Sequence, residues 1–228
     1  MQTNESQNQF NARIHTTETV ALDGDLVVPK LARGLVVFAH GSGSSRCSPR
    51  NRPVAEHFQR EGLGTLLFDL LTEAEEASEV HTRHLRFNIP LLAERLMAAT
   101  AWVTEQETAR DLPIGYFGSS TGAAAALIAA AELGDSIGAI VSRGGRPDLA
   151  GEELEQVVAP TLLIVGERDV PVIELNEQAQ ELLHCEKELN IVPKATHLFE
   201  EPGTLDRVAQ LASEWFQKHL HPKHALQQ

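Results

Sequence analysis

The run Ile114-Gly115-Tyr116-Phe117-Gly118-Ser119-Ser120-Thr121-Gly122-Ala123-Ala124-Ala125-Ala126 decides how the rest of the chain is read. An apolar stretch ends in glycine, passes through two serines, and restarts as a run of small helix-forming residues. Gly118 to Gly122 fit G-x-S-x-G with Ser120 at the centre, the pattern of a sharp strand-to-helix turn that lifts a serine hydroxyl clear of a sheet. Glycines flank the serine at two residues either side because such a turn strains the backbone and brings neighbouring segments very close. The pentapeptide alone is a moderate signal. Its context adds the weight: a strand-like run before it, a helix-like run after it, and an acid and a histidine downstream.

Working outward, several short runs are almost continuously apolar: residues 34–39, 64–68, 137–141, 161–165 and 188–192. Such runs suit strands covered on both faces, as in a parallel sheet. Helical patterns lie between them. One runs from Asn51, a candidate cap, through Pro53 to Glu61. In another, Leu85, Ile89, Leu92, Leu96, Ala99 and Val103 recur at helical spacing, with Pro90 in its first turn or at a kink. A further helix opens at Pro171, and the last is marked by Leu205, Val208, Ala212, Trp215 and Phe216. Strands alternating with helices predict an α/β fold, a mostly parallel central sheet with helices on both faces. Asp23-Gly24 reads as a type I′ hairpin turn. The acidic stretch 72–80 reads as an exposed loop. Residues 1–12 are expected to be disordered, 13–220 to form one domain, and 221–228 to be a loose tail.

The chain has 228 residues, 42% of them hydrophobic, enough to bury one full core. Its formal net charge of −13 argues against nucleic acid or an anionic membrane as a partner, and otherwise reads as simple solubility. Cys47 and Cys185 form no CxxC and no even-numbered framework, which favours a reducing compartment. The N-terminus lacks an apolar leader core, and no apolar run approaches about 18 residues, so a cytoplasmic location is expected. No cofactor or metal is expected. The Gly41-to-Arg46 stretch begins like a dinucleotide fingerprint, but Arg46 stands where its third glycine belongs. His81 and His84 have a one-turn spacing with no third ligand beside them. His219, His221 and His224 read as a solvated tail.

In open α/β sheets the ligand site forms beyond the C-terminal ends of the strands. Five features sit there: the His40-Gly41-Ser42 turn, Asp69, Ser120, Asp169 and His197. A serine hydroxyl is a weak nucleophile that needs a base, and the base needs an orienting group. Asp169 and then His197 follow Ser120 in order. His197 would take the serine proton, and Asp169 would hold the imidazole tautomer. The developing oxyanion would be met by backbone N–H groups of Thr121 and, from the glycine-rich turn, Ser42. Asp69 is the alternative acid, and Asp169 could instead only cap the helix at Pro171. His40 reads as a brace of the oxyanion turn. Arg46, Arg50, Arg52, Arg83, Arg86, Arg143 and Arg146, seven of the nineteen basic residues, gather in three segments by the strand ends. They either pair with acids such as Asp69 and Asp148 and brace loops, or, with Arg46, Arg143 and Arg146 foremost, bind a negatively charged substrate.

Taken together, His40-Gly41-Ser42-Gly43, Gly118-Ser119-Ser120-Thr121-Gly122, Gly166-Glu167-Arg168-Asp169 and Ala195-Thr196-His197 resemble the α/β-hydrolase superfamily. The order Ser…Asp…His is that family's order. With no room for a large cap between Val141 and Thr161, the chain is most similar to the dienelactone-hydrolase-like branch. It departs in having Ser120 where dienelactone hydrolases proper carry cysteine. The resemblance implies the α/β-hydrolase fold and a serine esterase, lactonase or thioesterase acting on a small soluble substrate through an acyl-enzyme. An acyltransferase with the same triad and a non-catalytic binding or regulatory module on this fold are the alternatives.

Overall fold

The buried apolar runs become the middle of one eight-stranded sheet. The computed structural model describes residues 8–221. In chain order the elements are β1 (Asn8–His15), β2 (Ala21–Val28), β3 (Leu35–Ala39), α1 (Asn51–Arg60), β4 (Gly64–Phe68), α2 (Glu73–Thr82), α3 (Ile89–Thr104), β5 (Ile114–Ser119), α4 (Thr121–Leu133), β6 (Ile137–Arg143), β7 (Thr161–Gly166), α5 (Val170–Leu182), β8 (Lys187–Val192) and α6 (Thr204–His219). The sheet order is β1-β2-β4-β3-β5-β6-β7-β8. The six strands from β4 to β8 in that order run parallel, and only β2 is antiparallel to its neighbours, β1 and β4.

Alternation along each strand sorts the core into two layers. Leu35, Val37, Leu66, Tyr116, Ile140 and Leu163 face the side covered by α3, α4 and α5. Val36, Phe38, Leu67, Phe117, Val141 and Leu162 face α1 and α6. There Phe38, Phe58, Phe117 and Phe216 form a cluster with ring centroids 5.0–5.7 Å apart, tilted and edge-on as aromatic quadrupoles prefer. The alanine run of α4 lets that helix lie close to the sheet, with Ala123 to Ala126 fully buried. No cap domain intervenes between β6 and β7, only a 3₁₀ segment, Pro147–Gln156.

Four local expectations are corrected. Asp23-Gly24 is not a turn: it lies inside β2, with Gly24 opposite Ala12 and Phe68 on the flanking strands. The hairpin turns instead near Thr17, whose hydroxyl accepts the Val20 N–H. Residues 8–12, expected to be disordered, are strand, because β1 lines the free edge of β2 along its whole length; residues 1–7 and 222–228 lie outside the described part. The acidic stretch after Thr72 is a helix, not a loop. Thr72 accepts from the Glu75 N–H, and Glu75 reaches back to the Thr72 N–H, a reciprocal capping box that satisfies two otherwise orphaned donors. Arg95 then clamps Glu75 from α3, at 2.6 Å, and holds the Leu70 carbonyl at 2.7 Å. Asn51 is not the cap of α1: the Ser48 hydroxyl takes the N–H groups of Arg50 and Asn51.

The turn after β5 is held by backbone against backbone. A Cβ on Gly122 would overlap the Ala39 carbonyl and lie 2.5 Å from the His40 oxygen; one on Gly118 would lie 2.8 Å from the Ala123 nitrogen. Neither neighbour is a side chain that can swing away. Gly122→Ala is therefore expected to lower stability by on the order of 3 kcal/mol or more. Thermal unfolding checks this, and a Tm within a degree or two of the parent would contradict it.

Candidate active site

Ser120 sits where the sheet ends and α4 begins. Its backbone has φ 52° and ψ −122°, a region that non-glycine residues occupy only under constraint. The constraint is visible. The Ser120 N–H donates to the Arg143 carbonyl at 3.3 Å, and the Ser120 carbonyl accepts from Ala123 and Arg146 at 3.1 Å each. Gly41, in the turn after β3, passes so near that a Cβ there would lie 3.0 Å from the Ser120 Cβ.

The acid and the histidine come from the next strands. β7 ends at Gly166, whose backbone lies against the carbonyls of Ala195 and Thr196. This contact, with the Arg168 N–H donating to the Ala195 carbonyl at 2.9 Å, sets the loops after β7 and β8 side by side. Asp169 follows from the first and His197 from the second, and Asp169 Oδ2 lies 2.6 Å from His197 Nδ1. Asp169 is 14% exposed and His197 39%. A proton on Nδ1, donated to the carboxylate, leaves Nε2 as the acceptor. No hydrogen bond joins Ser120 to His197 among the described residues. Asp69 lies elsewhere: it accepts the Arg46 N–H at 2.7 Å and pairs with the Arg46 guanidinium, so it organises the loop after β3.

The two expected oxyanion donors adjoin each other. Thr121 is the first residue of α4, where backbone N–H groups lack intrahelical partners. The Ser42 N–H points at the Thr121 hydroxyl, 3.0 Å away, so an oxyanion claiming both donors would displace or share with that hydroxyl. His40 fixes the turn from beneath. Its Nε2 accepts the Leu70 N–H at 2.9 Å, and Nδ1 lies 3.0 Å from the Gly41 carbonyl. Only the neutral tautomer with the proton on Nδ1 serves both.

The arginines divide sharply. Arg46 pairs with Asp69 and Arg146 with Asp148, at 2.7 Å. Arg86 lies between Glu76 and Glu79, and Arg52 is 3.9 Å from Asp25. Glu79 is wholly buried. Burial alone would raise its carboxyl, but the Arg86 and His84 N–H groups and the Thr82 hydroxyl outweigh it and hold the pKa at about 2. Arg143 has no carboxylate among the described residues. Sequence reasoning read Asn51 only as a helix cap; it is buried at the elbow, its Oδ1 accepting from the Ser119 hydroxyl at 3.4 Å. Nothing in its own neighbourhood of sequence signals that contact. For α2, which sequence reasoning read as a loop, the Thr72-x-x-Glu75 spacing of a capping box is the signal that could have found it. A cleft of about 940 Å³, between the β1–β2 ribbon and the loop after β3, is lined by Arg13, Asp23, His40, Ser45, Arg46 and Asp69 and includes neither Ser120 nor His197. No group of three His, Cys, Asp or Glu among the described residues is placed to hold a metal ion. No described helix is long and apolar enough to cross a membrane.

Residues 32–217 match the family described as alpha/beta hydrolase domain. Two Mycobacterium tuberculosis proteins, from strains CDC 1551 / Oshkosh and ATCC 25618 / H37Rv, are 57% identical over 201 residues and carry a provisional phosphoribosyl transferase name. That match takes in 88% of this chain but 44% of the relatives, so the chain spans less than half their length. The crystal structure of a dienelactone hydrolase from Anabaena variabilis ATCC 29413 is 57% identical, with a TM-score of 0.92 over 94% of this chain and 99% of that one. Est1E from Butyrivibrio proteoclasticus shares the fold, with a TM-score of 0.75 at 16% identity, over 91% and 98% of the two chains.

Burial, opposed by the Gly41 carbonyl and Asp69, lowers the His40 pKa below its ordinary 6.5. A histidine kept neutral in the fold and free to charge when unfolded contributes stability that is present above 6.5 and lost as pH falls through the lowered value. Tm should therefore drop on acidification below about pH 6.5. His219, also lowered chiefly by burial, contributes in the same window. The His40 part is the difference between the parent and His40→Gln, which keeps an acceptor for Leu70 but does not titrate. Parallel Tm-versus-pH curves for the two proteins would contradict this account.

Proposed function

The chain belongs to the α/β-hydrolase family and is dienelactone-hydrolase-like, and from that premise we propose that it is a serine hydrolase cleaving a carboxylic ester, lactone or thioester of a small substrate. The observation that carries this reading is the Asp169–His197 pair, bonded at 2.6 Å, on the loops facing a serine held at φ 52°. Asp169 holds the Nδ1 proton, and His197 Nε2 takes the proton of Ser120 as its oxygen bonds to the substrate carbonyl carbon. The carbonyl electron pair moves onto oxygen, where the N–H groups of Thr121 and Ser42 meet it. Collapse expels the alcohol or thiol, which takes its proton from His197. Water then attacks the acyl-enzyme with the same base, regenerating Ser120.

The dienelactone hydrolase of A. variabilis supports the ester or lactone reading through its likeness over nearly the whole chain. The phosphoribosyl transferase name belongs to relatives of which this chain matches 44%. We assign the activity in that name to the part of those proteins that this chain does not match. An acyltransferase would use the same triad and differ only in admitting an acceptor that outcompetes water. A location in the cytoplasm is part of the same proposal, from the cysteine usage alone.

Labelling with a fluorophosphonate followed by peptide mapping should modify Ser120. Ser120→Ala should lose the label and cut kcat on a p-nitrophenyl ester by on the order of 10⁴–10⁶ while leaving the fold intact by circular dichroism. Asp169→Asn should cost on the order of 10⁴ through loss of the correct tautomer, whereas Asp69→Asn should spare the chemical step. Retention of more than about a tenth of parental kcat by Ser120→Ala would sink the assignment.

A further inference from the structure

Helix α5 carries a polar residue in an apolar position. Val172, Asn176 and Ala179 form its buried face, at the spacing of a core stripe. Asn176 is fully buried. Its Nδ2 donates to the Gly145 carbonyl at 3.1 Å and to the Val172 carbonyl, one turn back in its own helix, at 2.7 Å. Its Oδ1 is buried and has no hydrogen-bond partner among the described residues. An amide so placed, with its acceptor unmet, costs stability relative to an apolar side chain of similar size. The stability of α5 therefore does not account for Asn176. The bond to Gly145 does, through what that glycine belongs to.

Gly145 lies in the short stretch 143–146 at the end of β6, which borders both Ser120 and His197. The Arg143 carbonyl takes the Ser120 N–H at 3.3 Å, and the Arg146 N–H donates to the Ser120 carbonyl at 3.1 Å. Gly144 has φ 50°, and its N–H donates to the Ile164 carbonyl of β7 at 2.7 Å. A Cβ on Gly144 would lie 3.1 Å from the His197 carbonyl oxygen and 3.5 Å from His197 Nδ1. That nitrogen bonds Asp169 at 2.6 Å. Asp169 in turn opens α5, its carbonyl accepting from the Val172 and Ile173 N–H groups at 2.9 and 3.0 Å. Asn176 lies about two turns further along that helix. Its bond to Gly145 closes a circuit. The circuit runs from Ser120 through 143–146 to Asn176, along α5 to Asp169 and His197, and back to Gly144. No hydrogen bond joins Ser120 to His197 directly among the described residues, so the spacing between them is carried by this circuit.

We propose that Asn176 is a positioning residue: by holding the Gly145 carbonyl, its amide fixes 143–146 between nucleophile and base and so sets the reach from Ser120 to His197. The proposal rests on the serine-hydrolase reading for the roles of those two residues. Asn176 acts through the loop and not on the reacting atoms. Displacement of a reacting group by about 1 Å can cost on the order of 10²-fold in rate, so one loop bond has leverage. Ser142 provides the contrast. Its hydroxyl is buried against the same glycine, where a Cβ on Gly145 would overlap it, yet it has no hydrogen-bond partner among the described residues. It fills space there and holds nothing.

The test is Asn176→Leu, which keeps the approximate size and removes the donor. Where Asn176→Leu does not fold, Asn176→Ala takes its place. Turnover of a p-nitrophenyl ester and labelling by a fluorophosphonate are measured well below the Tm of each protein. kcat and the labelling rate of Ser120 should fall together by about tenfold to 10²-fold, with KM within about twofold of the parent. Ser142→Ala, which removes the unpartnered hydroxyl, should keep the parental kcat and KM. The His197 Nδ1 proton shared with Asp169 supplies a readout without substrate. Its far-downfield proton resonance, assigned by its loss in His197→Gln, should move in the Asn176 variant, because Gly144 lies beside that nitrogen. A merely structural Asn176 would lower Tm and leave kcat and the resonance where they are; that result overturns the proposal. So does an equal loss of kcat in Ser142→Ala, which would make packing of the loop, not the amide bond, the cause. A parent with neither ester turnover nor labelling at Ser120 would instead fail the hydrolase reading. The resonance then decides the placement alone: moved in the Asn176 variant, the positioning stands, and unmoved, it falls.

Discussion

Everything at the top of the sheet is referenced to one contact, the approach of the α4 backbone at Gly122 to the carbonyls of Ala39 and His40. Both sides of it are main chain. No rotamer change relieves it, and that stiffness is what holds Ser120 at a positive φ. The same contact ties the end of β3 to the start of α4, which brings the Ser42 and Thr121 backbones together. A second main-chain approach, Gly166 to the Ala195 and Thr196 carbonyls, does the same for the loops that carry Asp169 and His197. The backbone placement of these five residues is thus governed by closely packed glycines.

Charge is arranged around that frame in opposite ways on its two sides. On the side of the β1–β2 ribbon, arginines meet carboxylates: Arg46 with Asp69, Arg86 with Glu76 and Glu79, Arg95 with Glu75. These clamps join α2 and the loop after β3 to the body of the sheet. On the side of α1 and the His197 loop, Arg50 reaches the exposed Glu200, and the Nη1 of buried Arg143 has no hydrogen-bond partner among the described residues. The chain therefore combines a strongly negative total with a small positive region beside the serine, a distinction that net charge alone cannot express.

Much of this was legible in the sequence, and the reasons are local. Strands β3, β4 and β7 are buried along their whole length, so they appear as unbroken apolar runs. The elbow announces itself because its strain demands particular residues at fixed offsets. Asp169 and His197 could be paired in advance because the fold orders them along the chain. Other features depended on partners far away in sequence. Asp23-Gly24 carries a strong turn signal, but neighbours on both sides of β2 hold it extended. β1 is largely polar, burying only Ala12 and Ile14, and gains much of its order from pairing along β2. The partners of the seven arginines could not be told apart by spacing, since the choice between Asp69, Asp148, Glu200 and no carboxylate at all is made by the tertiary fold.

The division between main-chain and side-chain restraint has a consequence for how such a protein changes over generations. The backbones around Ser120, His197, Ser42 and Thr121 are fixed by contacts that tolerate almost no substitution at a few glycines. The surrounding loops are fixed by exchangeable ion pairs, such as Arg50–Glu200 and Arg146–Asp148. A single replacement there alters the charge and shape offered to a ligand without disturbing the frame beneath. Divergence in what is recognised can therefore accumulate by small heritable steps on the rim, while the reacting geometry is inherited unchanged.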